Sequence, residues 1–259
     1  MPLLLIALLL LPTTIFPKEK GSIHAILVYD TCSDLNSPVQ KDVRHISIFL
    51  KEIERSTGIK VSSQTLDGTK LCAHALRSYL CSLDHHEIVF FYYSGHGHQS
   101  QSPLWPSLYF SSTKESFPVE NILASFEKKP PRLTLLLFDC CNNSYPLLQN
   151  SLKTQIVPYS VSKGSSKIGL QQKHSFTPFS LKGPGLTSLL TKTEGTIVAT
   201  GAEPGCASYA GAHGSLFTLA FLAAIKNAAP KKKPSWEQVL KETQLFCHPY
   251  QHPTFRIQK

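Results

Sequence analysis

His96 and Cys141 are the residues best placed to do chemistry, and each stands just past the end of an apolar run. Leu133-Thr134-Leu135-Leu136-Leu137-Phe138 stops at Asp139-Cys140-Cys141-Asn142-Asn143-Ser144, and Ile88-Val89-Phe90-Phe91-Tyr92-Tyr93 stops at Ser94-Gly95-His96-Gly97-His98. Runs without polar alternation are what strands covered on both faces require. In open α/β sheets, chemistry collects beyond the carboxyl ends of such strands. A thiol that attacks a carbonyl and an imidazole that moves its proton make a nucleophile–base pair. The turn after Cys141 is expected to point backbone N–H groups outward and so to favour the thiolate. Two adjacent cysteines cannot both enter one core, so one of Cys140 and Cys141 is expected to face the turn. Glycines on both sides of His96 let the backbone approach a substrate closely.

The elements that must hold these loops follow from periodicity. Ile23 to Tyr29 is a strand candidate ending at Asp30-Thr31-Cys32-Ser33. A helical pattern opens at Pro38 (Val39, Val43, Ile46, Phe49, Leu50, Ile53) and closes at Thr57-Gly58, with glycine as its C-terminal cap. A short strand over 59–66, a helix over 69–82, the strand at 88–93, a ribbon near 108–110, a helix from Pro118 through Phe126 and the strand at 133–138 complete the first part. Alternation of this kind predicts an α/β fold with a mostly parallel sheet and helices on both faces. From 150 to about 193 the periodicity is lost, and the stretch reads as a long loop. A strand at 195–201, helices over 215–228 and 235–246, and a last strand at 255–257 follow. Ser235 and Gln238 have the spacing of a capping box.

Composition narrows the function classes. The chain has 259 residues, 42% hydrophobic and 10% aromatic, which suits a packed domain. A net charge of +9 raises nucleic acid as a partner, but the lysines are scattered and no nucleic-acid motif stands out, so none is expected. Seven cysteines without a CxxC pair argue against a disulfide framework or a thioredoxin-type motif. His96, His98, Cys140 and Cys141 could be imagined around a metal, yet their spacings match no usual zinc pattern, and neither metal nor cofactor is expected. Residues 1–20, with the aliphatic block Leu3 to Leu11, read as an export signal or short membrane tether, too short for the roughly 20 residues of a comfortable span. They imply a secreted, periplasmic or membrane-tethered protein whose leader can contact the membrane.

Tyr93-Ser94-Gly95-His96-Gly97 followed by Phe138-Asp139-Cys140-Cys141 resembles the metacaspases, caspase-like cysteine peptidases with an S-G-H-G loop and a D-[SC]-C-H-S-G loop. The 45 residues from His96 to Cys141 are close to the roughly 50 of the caspase pattern. The resemblance covers about residues 22–258. It implies a three-layer caspase-like sandwich on a six-stranded sheet, with a large-subunit-like part 21–150, a loop 151–193 and a small-subunit-like part 194–259.

The resemblance also assigns roles. Cys141 is the nucleophile, His96 the general acid/base, and the amides of Gly97 and Cys141 the oxyanion hole. Asp42, Ser94 and Asp139 line an acidic pocket for the residue before the cleaved bond. The implied protein is a thiol endopeptidase, a monomer, acting on polypeptides after arginine or lysine, because two carboxylates select a cation. The departures are Asn142-Asn143-Ser144 in place of His-Ser-Gly, and a 99–130 segment whose only acids are Glu115, Glu120 and Glu127, with no counterpart to the calcium-binding loop of many metacaspases. Lys163, Lys167, Lys173 and Lys182 are candidate self-cleavage positions. The alternative is a catalytically silent caspase-like scaffold, marked by the altered turn.

Overall fold

A computed structural model describes residues 21–84, 86–102, 104–127, 129–144 and 181–259. The leader and the lysines at 163, 167 and 173 lie outside the described residues. Among the described residues no helix is long and apolar enough to cross a membrane.

Six strands form the central sheet: β1 (Ser22–Tyr29), β2 (Lys60–Asp67), β3 (Ile88–Ser94), β7 (Leu133–Asp139), β8 (Gly195–Thr200) and β11 (Thr254–Gln258). Their order is β11-β8-β7-β3-β1-β2, and only β11 runs antiparallel. Between β3 and β7 lies a separate antiparallel ribbon of β4 (Gly97–Gln99), β5 (Pro106–Phe110) and β6 (Glu115–Pro118). A two-stranded pair, β9 (Ala210–Gly211) and β10 (Gly214–Ser215), follows β8.

Side-chain alternation splits the interior into two cores. Ala25, Leu27, Phe90, Tyr92, Leu135 and Leu137 face one side, while Ile26, Val28, Phe91, Tyr93, Leu136 and Phe138 face the other. The first core is closed by α1 (Asn36–Thr57), α4 (Gly185–Lys192), α5 (Leu216–Ala228) and α6 (Trp236–Cys247). The second is closed by α2 (Ala73–Cys81), α3 (Val119–Glu127) and the ribbon. This is an α/β sandwich of the kind the resemblance implies, with a six-stranded, mostly parallel sheet and helices on both faces.

Local chemistry sets the helix ends. Gly58 closes α1 in the left-handed region (φ 72°), and its N–H bonds the Glu54 carbonyl. Ser235 and Gln238 form the expected capping box at α6. One segment departs from its sequence reading: 185–192, inside the expected loop, is helical. Leu186, Leu189 and Leu190 are buried against the first core, and two turns of helix are too short to stand out as a period.

Candidate active site

The site is built where the two central strands end. β3 and β7 are hydrogen-bonded neighbours with Ser94 opposite Asp139, so His96 and Cys141 each lie two residues past the same rung. The Gly95 N–H donates to the Asp139 carbonyl (3.3 Å), carrying the pairing one step beyond the sheet. The loops then touch. A Cβ on Gly97 would lie 2.6 Å from Cys140 Sγ and 2.7 Å from the Cys141 carbonyl oxygen, so only glycine permits this approach. Gly97→Ala is therefore expected to push the loops apart, costing about 1–3 kcal/mol in chemical denaturation and slowing alkylation chemistry specific to the folded Cys141 site.

His96 is fixed from behind. Its carbonyl accepts from the Tyr93 hydroxyl (2.7 Å) and from the Tyr109 N–H (3.0 Å). Its ring Nε2 lies 2.5 Å from Asp34 Oδ1, in the turn between β1 and α1. His98 lies apart, with Nε2 2.7 Å from Ser116 Oγ across the ribbon.

The two cysteines part company as adjacent residues must. Cys140 is buried in the second core, whereas Cys141 is half-buried at the turn. Cys141 Sγ accepts from the Ser208 N–H (3.3 Å) and lies 3.7 Å from the Ser208 carbonyl. Here the structure departs from the sequence reading: burial pushes the Cys141 thiol up, the Ser208 N–H pulls it partly back down, and the nearby Asp139 charge adds a smaller upward push. This geometry holds a neutral thiol rather than a thiolate.

The altered turn is anchored by backbone. Asn142 N–H donates to the Cys206 carbonyl (3.0 Å), Gly205 N–H donates to the Asn142 carbonyl (2.7 Å), and Gln99 N–H donates to the Asn143 carbonyl (2.8 Å). The Asn142 side chain turns inward to the Leu104 carbonyl (3.3 Å). None of these backbone bonds depends on the side-chain types that distinguish this turn.

Asp42, Ser94 and Asp139 come together at the start of α5. Asp42, on α1, accepts from Ser94 Oγ (2.8 Å), Ser215 N–H (2.9 Å) and Ser215 Oγ (2.5 Å). Asp139 accepts from Thr218 N–H (3.1 Å), Thr218 Oγ1 (2.6 Å) and Ser208 Oγ (2.9 Å). A helix N-terminus suits both acids, since its free N–H groups and dipole favour negative charge. Even so, burial dominates and raises both above the usual carboxylate range, and the Asp139 charge adds to the rise at Asp42.

Ser208 connects the two halves, because it bonds both the Cys141 thiol and the Asp139 carboxylate. Gln251 holds it there: Nε2 donates to Ser208 Oγ (3.0 Å) and the Gly201 carbonyl (2.6 Å), and Oε1 accepts from Tyr209 N–H (2.9 Å). A cavity of about 420 Å³ opens on this region at Glu203, Gln244, His248 and Gln251, not at the acids, which are covered.

Sequence reasoning reached His96, Cys141, Asp42, Ser94 and Asp139, and missed Asp34, Ser208, Ser215, Thr218 and Gln251. Asp34 carried one signal, its place just past the end of a parallel strand. Among the described residues, no three His, Cys, Asp or Glu side chains group as a metal site.

The caspase domain family matches residues 24–255. The chain belongs to the caspase-domain family. Solved structures with the same fold include protein GSU0716 from Geobacter sulfurreducens (TM-score 0.56, 15% identity, covering 91% of this chain and 93% of that one). Caspase-1 from Spodoptera frugiperda is similar as well (TM-score 0.55, 14% identity, covering 92% and 86%). At these identities the likeness is one of fold. No curated protein matches the sequence.

Proposed function

We propose that this caspase-domain protein is a metacaspase-like cysteine endopeptidase that cuts polypeptides after arginine or lysine. One observation carries the reading: two carboxylates, Asp42 and Asp139, meet near Cys141 at one helix start, and among the described residues no arginine hydrogen-bonds them. Charge-assisted hydrogen bonds to such a pair would select a cationic side chain.

In the proposed reaction, His96 takes the Cys141 proton as sulfur bonds to the carbonyl carbon. The amides of Gly97 and Cys141 receive the oxyanion. The C–N bond breaks as His96 passes its proton to the leaving amine. Water then attacks the thioester and gives its proton to His96, the C–S bond breaks, and the proton returns to sulfur.

Both acids are buried in the described arrangement, so in this reading Ser208 leaves Asp139 when the cationic side chain binds. A silent scaffold is the second reading, favoured by the covered acids and the neutral, tethered thiol. In the peptidase reading the leader carries the enzyme out of the cytosol or onto a membrane, and the domain acts as a monomer.

A set of fluorogenic tetrapeptides differing only in the residue before the cleaved bond tests the proposal. Expected is a kcat/KM at least about 100-fold higher for arginine and lysine than for aspartate or alanine. Equal rates across the set would remove the basic-pocket assignment. No cleavage of any peptide, with or without added calcium, would leave the scaffold reading.

A further inference from the structure

Asp34 has no role in the dyad as described, yet its carboxylate meets His96 directly. Oδ1 stands 2.5 Å from Nε2, with side-chain exposures of 46% for Asp34 and 19% for His96. The turn that carries it is braced by its own hydrogen bonds. Ser33 Oγ donates to the Asp30 carbonyl (2.9 Å) and accepts from the Leu35 N–H (3.2 Å), and Asn36 N–H donates to the Ser33 carbonyl (3.1 Å). The other acid of this turn is committed elsewhere: Asp30 accepts from Ser111 N–H (3.2 Å) and Ser111 Oγ (2.6 Å).

We infer that Asp34 is a positioning residue that holds His96 with its proton on Nε2, so that Nδ1 carries the lone pair that takes the Cys141 proton. The inference rests on the peptidase reading above. Its chemistry is simple. An ionised carboxylate only accepts, so the ring nitrogen facing it must donate, and the tautomer of a neutral imidazole is thereby set. The backbone already holds the other side of the residue, through the bonds of Tyr93 and Tyr109 to the His96 carbonyl, so Asp34 needs to fix only the ring. An exposed pair of this kind adds little to stability. Losing it should therefore alter the ring and the chemistry while leaving the fold in place.

The experiment compares full-length wild type, Asp34→Ala and His96→Gln. Long-range ¹H–¹⁵N spectra of histidine-labelled protein report each ring's protonated nitrogen, and His96→Gln identifies the His96 signals. Expected for wild type is Nε2–H, and for Asp34→Ala a shift towards mixed tautomers, with the melting temperature nearly unchanged. On an arginine peptide, kcat should fall about 30-fold with KM within about 3-fold, between a negligible surface pair and the larger losses seen when a buried triad acid is removed. Unchanged His96 ring signals in Asp34→Ala, or retained kcat, would overturn the assignment. If wild type cleaves nothing, the peptidase reading fails by itself and the ring spectra alone decide the Asp34–His96 contact.

Discussion

Cys141→Ala is expected to lower turnover of an arginine peptide by at least about 10⁴-fold, and His96→Ala by a similar factor, because members of a nucleophile–base pair act as a unit. Cys140→Ala is the matching control. Its thiol is packed in the second core, so truncation removes a small buried volume and costs about 1 kcal/mol, with activity within about 3-fold of wild type. The two neighbours thus give opposite outcomes: one loses activity and keeps stability, the other loses stability and keeps activity. Active-site titration with an arginine-directed electrophile reads the first, and urea unfolding reads the second. Loss of activity in Cys140→Ala with retention in Cys141→Ala would reverse the assignment of the nucleophile.

Asp139→Asn should both weaken catalysis and strengthen the fold. On arginine and lysine peptides kcat/KM is expected to fall about 100-fold or more, since a buried cation would lose one of its two charged partners. The stability effect follows from the carboxyl pair, whose folded-state values are raised to about 7 for Asp42 and about 6 for Asp139. Between the ordinary carboxylate value near 4 and these raised values, the folded protein binds more protons than the unfolded chain. Stability from this source is complete below about pH 4 and is lost as pH rises through 6 to 7. At pH 8 both charges burden the fold. Asparagine removes one while its carbonyl oxygen still accepts from Thr218 and its amide can donate to Ser208. Melting temperatures should show Asp139→Asn above wild type at pH 8, by about 2 kcal/mol or roughly 5 °C, with the advantage clearly smaller at pH 5 and gone below about pH 4. An advantage of equal size at both pH values would show that charge is not its cause. By the same titration, wild-type kcat/KM on basic peptides should decline as pH falls through 7 to 6.

The parts of this molecule legible in sequence are those written in consecutive residues. The unbroken apolar runs at 88–93 and 133–138 gave the two central strands and therefore the places of His96 and Cys141. The amphipathic run from Val39 to Ile53 gave α1 and, with it, Asp42. What escaped depends on partners distant in the chain. Asp34 meets His96 across 62 residues and Ser208 meets Cys141 across 67, and neither contact leaves a local pattern. Gln251 reads as one more polar residue in a C-terminal turn, although its amide holds Gly201, Ser208 and Tyr209 together. The thiol's neutrality was missed for a related reason. A turn exposes amides in isolation, but here the 201–208 segment folds back over it.

If the proposed peptidase activity holds, the start of α5 bears on how this domain could change its diet over evolutionary time. Ser215 and Thr218 direct four donors at Asp42 and Asp139, and the same helix roots itself in the first core through Phe217, Phe221 and Ile225. An arginine in place of either acid would bring a cation to the positive end of the helix and leave buried donors without acceptors. A descendant that prefers acidic residues is therefore not one substitution away. It would have to rebuild a helix start on which the hydrophobic interior also depends. Drift between lysine and arginine, or loss of cleavage altogether, is the shorter route.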